Sequence, residues 1–102
     1  MFRVRALLVL IVAAAVLALH GCASSPPVQE MSDARQAVAA AAQANAESLA
    51  PETFEQARRL LETAERQLRN EAYGPARGNA VRAKNRAAQA LEASQNAARE
   101  RE

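Results

Sequence analysis

The amino-acid sequence predicts an all-α protein, built as an antiparallel helical hairpin or an elongated three-helix unit with helices over about 28–49, 51–70 and 73–100. Two observations carry that expectation. Phe54, Ala57, Leu61, Ala64 and Leu68 recur at alternating spacings of three and four, which lines one face of a helix. Tyr73, Ala76, Ala80, Ala83, Ala87, Ala90, Ser94 and Ala97 form a second row in the same period, made almost wholly of small residues. Proline and glycine signals stand at Pro26-Pro27, Pro51 and Gly74-Pro75, where helices of that length would begin or end.

Taken in order, the first element is an apolar run from Ala6 to Leu19, preceded by Arg3 and Arg5. It is shorter than the roughly 20 residues a membrane-spanning helix needs and matches the apolar core of a secretory signal. An uncleaved span started early enough, at Phe2, would carry both arginines inside it. The run ends in Leu19-His20-Gly21-Cys22, and the composition then turns polar. These residues resemble the lipobox of bacterial lipoprotein precursors: an aliphatic residue three places before the cysteine, a tolerant position held by His20, a small residue at the cut, and the cysteine.

The resemblance implies that residues 1–21 are a cleaved signal peptide. Leu19 and Gly21 would be read by the signal peptidase, and Cys22 would carry a diacylglyceryl group and, after cleavage, an N-acyl chain of the palmitate type. Ala23, rather than aspartate, after the cysteine implies sorting to the inner leaflet of the outer membrane, facing the periplasm. The chemistry agrees, because the Cys22 thiolate is the strongest nucleophile available and Gly21 leaves the backbone open to a peptidase. Three acyl chains exceed the two signals that stable anchoring requires.

Residues 22–27 are expected to be a lipidated tether, its paired prolines favouring extended backbone. Residues 28–102 form the expected alanine-rich helical domain. Val28, Met31, Val38 and Leu49 are the larger apolar residues of its first helix, and alanine, the best helix former, fills the intervals. This apolar face is weak, so docking of the helix depends on what receives it. Pro51 suits the first position of the next helix, and Glu52 and Glu55 place negative charge at the positive end of its dipole. Glu55–Arg59, Glu62–Arg66 and Glu65–Arg69 are spaced four apart with the glutamate first, each worth about 0.2–0.5 kcal/mol on a solvated face. The reversal is placed at Asn70 to Ala72, which keeps Tyr73 in phase with the small-residue row and puts Gly74-Pro75 in the first turn of the last helix.

Folding back about that turn brings Leu68 level with Ala76, Leu61 with Ala80 or Ala83, and Phe54 with Ala90 or Leu91. The expected packing seam is therefore Phe54, Leu61, Leu68, Tyr73, Ala76, Ala80, Ala83, Ala87 and Ala90. Small residues on one side let the helix backbones approach to about 8–10 Å or less. Val81, Ala88, Leu91 and Ala98 make an adjoining stripe, available to the first helix or to another molecule.

The order of lipobox, alanine-rich helix, Ala50-Pro51-Glu52, Ala57-Arg58-Arg59-Leu60-Leu61-Glu62-Thr63-Ala64-Glu65, and Tyr73 followed by Ala76 and Ala80 resembles an uncharacterised family of small bacterial envelope lipoproteins. That family is the domain-of-unknown-function family numbered four-three-nine-eight. The likeness spans nearly all of residues 22–102, and Gly74-Pro75 departs from the polar residues the family pattern would place there. It implies a helical envelope lipoprotein. Some members add a peptidoglycan-binding domain, which is not expected in this sequence.

Composition narrows the function classes. The formal net charge is +2, but Arg3 and Arg5 would leave with the signal peptide and the rest would be neutral. Phe54 and Tyr73 are the only aromatic residues after Phe2, so neither a basic footprint nor a stacking platform for nucleic acid is present. His20, the sole histidine, lies in the segment to be cleaved, and Cys22, the sole cysteine, is assigned to lipid. No catalytic, cofactor-binding or metal-binding residue is expected, and the chain is not expected to be an enzyme.

The expectation is a non-catalytic structural or interaction module with an envelope protein, or a second copy of itself, as partner. The alternatives are a noncovalent peptidoglycan-associated tether and an accessory subunit of an envelope complex. Covalent linkage in the manner of the major murein lipoprotein is disfavoured, because the chain ends Arg99-Glu100-Arg101-Glu102 and its single lysine, Lys84, is mid-helix. Arg77, Arg82, Lys84 and Arg86 form a locally basic strip that suits an acidic partner or is merely solvated.

Overall fold

A computed structural model describes residues 1–16 and 25–102, together with the backbone of residues 17–23. The described chain is all helical: α1 (Phe2–Ala23), α2 (Val28–Gln43), α3 (Ala46–Leu49), α4 (Pro51–Arg69) and α5 (Tyr73–Glu100). The molecule is elongated, with principal extents of 80 × 25 × 15 Å. Apart from α1, it is a three-helix unit in which α4 runs antiparallel to α2 and α5. The direction is fixed by two inter-helix ion pairs, Arg77 with Glu30 (3.3 Å) and Arg35 with Glu65 (3.3 Å).

The last helix is the centre of the unit, packing extensively on both α4 and α2, while α2 and α4 meet more sparingly. The reason lies in its small-residue row. Ala76, Ala80, Ala83, Ala87, Ala90 and Ser94 are all fully buried, so α5 presents a flat alanine spine on which two helices fit side by side. Two core layers follow. The first joins Met31, Ala34, Ala64, Ala80 and Ala83, with Leu60, Leu61 and Leu68 half-buried around it. The second joins Ala41, Ala46, Ala50, Phe54, Ala57, Ala87 and Ala90, lapped by Ala37, Val38 and Leu91.

The helix expected over 28–49 is broken. It stops at Gln43, Asn45 adopts left-handed backbone (φ 59°), and the short α3 follows. A continuous helix to Leu49 followed by one from Pro51 would leave Ala50 alone to reverse the chain. Asparagine tolerates the left-handed region better than most residues, and its N–H closes the end of α2 on the Ala42 carbonyl (3.1 Å). The break turns Ala46 and Ala50 inward to pack with Phe54.

The second reversal falls where the sequence places it. The N–H of Ala72 bonds the Gln67 carbonyl (2.9 Å) and that of Glu71 bonds Leu68 (3.1 Å), the paired bonds of a Schellman cap. The residue in left-handed backbone is Glu71 (φ 60°) rather than Gly74, which lies within the first turn of α5.

Candidate anchor site and helix-packing interface

The expected lipid-attachment motif, Leu19, Gly21, Cys22 and Ala23, lies outside the residues whose side chains are described. Its surroundings are described on both sides. Upstream, α1 carries Phe2, Leu7, Leu8, Val9, Leu10 and Ile11 exposed. Both core layers are drawn from Met31 onward, and among the described residues α1 packs extensively on no other helix. Among the described residues no helix is long and apolar enough to cross a membrane.

Downstream, the tether expected over 22–27 is partly absorbed into the bundle. Pro27 is fully buried, and its carbonyl accepts the Met31 N–H at 3.0 Å to open α2. Arg77, one turn into α5, donates through Nη2 to the Ser25 carbonyl (3.2 Å) and through Nε faces Glu30 Oε1 at 3.3 Å. One guanidinium thus ties the end of the tether and the start of α2 to α5. A planar group with five donors suits that double role.

In the packing seam, Ala76, Ala80, Ala83, Ala87 and Ala90 are fully buried and Phe54 is nearly so. Leu61, Leu68 and Tyr73 are only half-buried. The fully buried positions of α4 are Ala57 and Ala64, while Leu60, Leu61 and Leu68 pack half-buried around the core. Alanine faces alanine because α2 also claims the spine: Met31, 1% exposed, fills the space that a two-helix hairpin would give to leucine. Across the seam near the turn, Asn79 donates to Gln67 at 2.9 Å. The buried Ser94 hydroxyl is satisfied by the Ala90 carbonyl (2.7 Å).

Of the three expected ion pairs, Glu55–Arg59 forms (3.3 Å). Glu65 instead reaches across to Arg35 of α2, and Arg66 donates to Thr63 (3.4 Å). Arg58 bridges Glu55 (2.7 Å) and Glu62 (3.0 Å). Its hydrogen bond holds the Glu55 carboxyl below the usual carboxylate value, and Glu55 in turn raises the Arg58 guanidinium.

The outer surface carries shallow grooves. One, between α3 and the start of α4, is bordered by Glu47, Glu52, Glu55, Phe54 and Arg59. Another, on the α4–α5 face, is bordered by Leu60, Arg82, Arg86 and Gln89. The basic strip is therefore divided: Arg77 is engaged inside the molecule, Arg86 bonds Gln89 (3.1 Å), and Arg82 and Lys84 are exposed. Of the adjoining stripe, Val81, Ala88 and Ala98 stay exposed, while Leu91 packs on the layer that holds Ala41 of α2. No group of three His, Cys, Asp or Glu side chains able to hold a metal occurs among the described residues.

The sequence placed Arg77 in a basic strip for a partner or solvent and not as an internal tie, and it placed the turn at Asn70 to Ala72 without marking Glu71 as its left-handed residue; nothing local pointed to Asn45. No protein-family model, curated protein or solved structure matches the chain.

Proposed function

We propose that this chain is a lipid-anchored, non-catalytic helical module of the bacterial envelope, held at the inner leaflet of the outer membrane through acylated Cys22 and facing the periplasm. Its bundle serves as a structural or interaction surface for an envelope protein or a second copy. Membership of the envelope-lipoprotein family that the sequence resembles over nearly all of residues 22–102 is part of this proposal. The observation that carries the reading is the division of the chain between α1 and the bundle. None of the described residues of α1 enters either core layer, both layers are drawn from Met31 onward, and the lipobox-like Leu19-His20-Gly21-Cys22 stands at the end of α1.

The test is processing. In a bacterium that matures lipoproteins, wild-type chain is expected to lose residues 1–21 and gain the mass of its acyl groups, whereas Cys22→Ser accumulates as full-length precursor. Normal cleavage of the serine variant would defeat the lipoprotein assignment. Crosslinking in intact cells then identifies the partner, and recovery of muropeptides on the protein would move the role to a cell-wall tether.

A further inference from the structure

We propose that the bundle stands end-on upon a phospholipid surface, seated on the end formed by the α4–α5 turn and the start of α2, with Arg77 as the clamp that holds it there. The inference rests on the anchored reading above and adds the surface that meets the lipid. Cys22 is three residues from Ser25, so wherever it sits it lies within about 11 Å of it. Ser25 is in turn bound to Arg77 in the opening turns of α5. With Pro27 buried and the Ser25 carbonyl held, little free chain separates an acyl group on Cys22 from the folded body. The far end of α5 lies about 35 Å beyond Arg77 along the helix, so the two ends of the bundle are inequivalent toward a membrane.

The chemistry of the near end fits a lipid interface. Outside α1, Val28 and Val81 are the large apolar side chains left exposed among the described residues, and Val28, the more open at 73%, is the first residue of α2 at this end. Pro26, two residues before it, and Pro75, in the first turn of α5, are exposed, and Tyr73 is half-buried in that same turn. Tyrosine and small apolar groups are at home at the headgroup level, and Arg69, exposed at the end of α4, suits phosphate.

The test uses the full chain expressed in a lipoprotein-processing bacterium, with a photoreactive phenylalanine in place of Asn70 at the turn or of Asn96 near the far end. Membranes are irradiated, and the intact protein is weighed. Phospholipid adducts are expected at position 70 and not at 96. Arg77→Ala, or a short Gly/Ser insertion after Ser24 that leaves the bundle untouched, should lower the position-70 yield several-fold while circular dichroism stays helical. Equal yields at both positions, or none at 70, would overturn the end-on seat. An unchanged yield in both clamp-releasing variants would overturn the clamp. The same spectra report acylation separately: a product that keeps residues 1–21 and a bare thiol defeats the lipid reading alone, because an embedded α1 would tether the same end and the contrast between positions still decides the seat.

Discussion

Alanine at the spine of α5 is a demand of geometry rather than of propensity alone. Ala80, Ala83 and Ala87 have no exposed surface, and a side chain larger than a methyl has nowhere to go without parting α5 from a neighbour. Ala83→Leu is expected to destabilise the bundle by about 1–3 kcal/mol through overpacking, read as a lower denaturant midpoint. The same change at Ala88, which is exposed, is expected to be nearly silent. Glu71 presents the opposite case, a side chain in left-handed backbone (φ 60°) that gains no burial for the strain. Glycine takes this conformation freely, although it also loosens the unfolded chain. Glu71→Gly should raise stability by about 0.5–1 kcal/mol, seen as a higher midpoint with unchanged slope.

At the scale of elements, α4 is the strongly amphipathic helix, and its outer face is laced by Arg58 between Glu55 and Glu62. The hydrogen bond from Arg58 lowers the Glu55 pKa in the folded state. Its contribution is therefore complete above the ordinary carboxylate pKa and disappears as pH falls through the folded value. The contribution is small, because the pair is exposed and screened. Glu55→Gln should accordingly unfold at slightly lower denaturant than wild type at neutral pH, the gap closing in acid below the folded Glu55 value and narrowing in high salt. The first bundle helix has no comparable face of its own. It docks because Met31, Ala34 and Ala41 meet a spine already suited to close approach, and its order is borrowed from α5.

At the scale of the molecule, none of the described residues of α1 is part of the bundle core. Residues 22–102 alone are expected to match the full chain in denaturant midpoint when both are measured in the same mild detergent, since no buried core residue precedes Pro27 among the described residues. A clear loss of stability on removing residues 1–21 would contradict that expectation. Without α1 the bundle is a slender rod with modest apolar exposure. Its surface carries one groove bordered by Glu47, Glu52, Phe54 and Glu55 and another bordered by Arg82 and Arg86.

The sequence by itself determined the all-α class, the limits of α4 and α5, and the turn between them, because these depend on local periods and on prolines that act within a few residues. It also marked the row Ala76 to Ala90 as a packing face. Only the tertiary structure decided that this row serves two helices at once, that Ala57 and Ala64 rather than Leu61 and Leu68 are the fully buried positions of α4, and that Arg77 grips Ser25 across a separation of 52 residues. The break at Asn45 belongs with these. A helix of alanines has no local reason to stop there, and it stops because α4 has to return along the bundle. Such choices depend on which face a third helix occupies, and no periodicity within one helix contains that information.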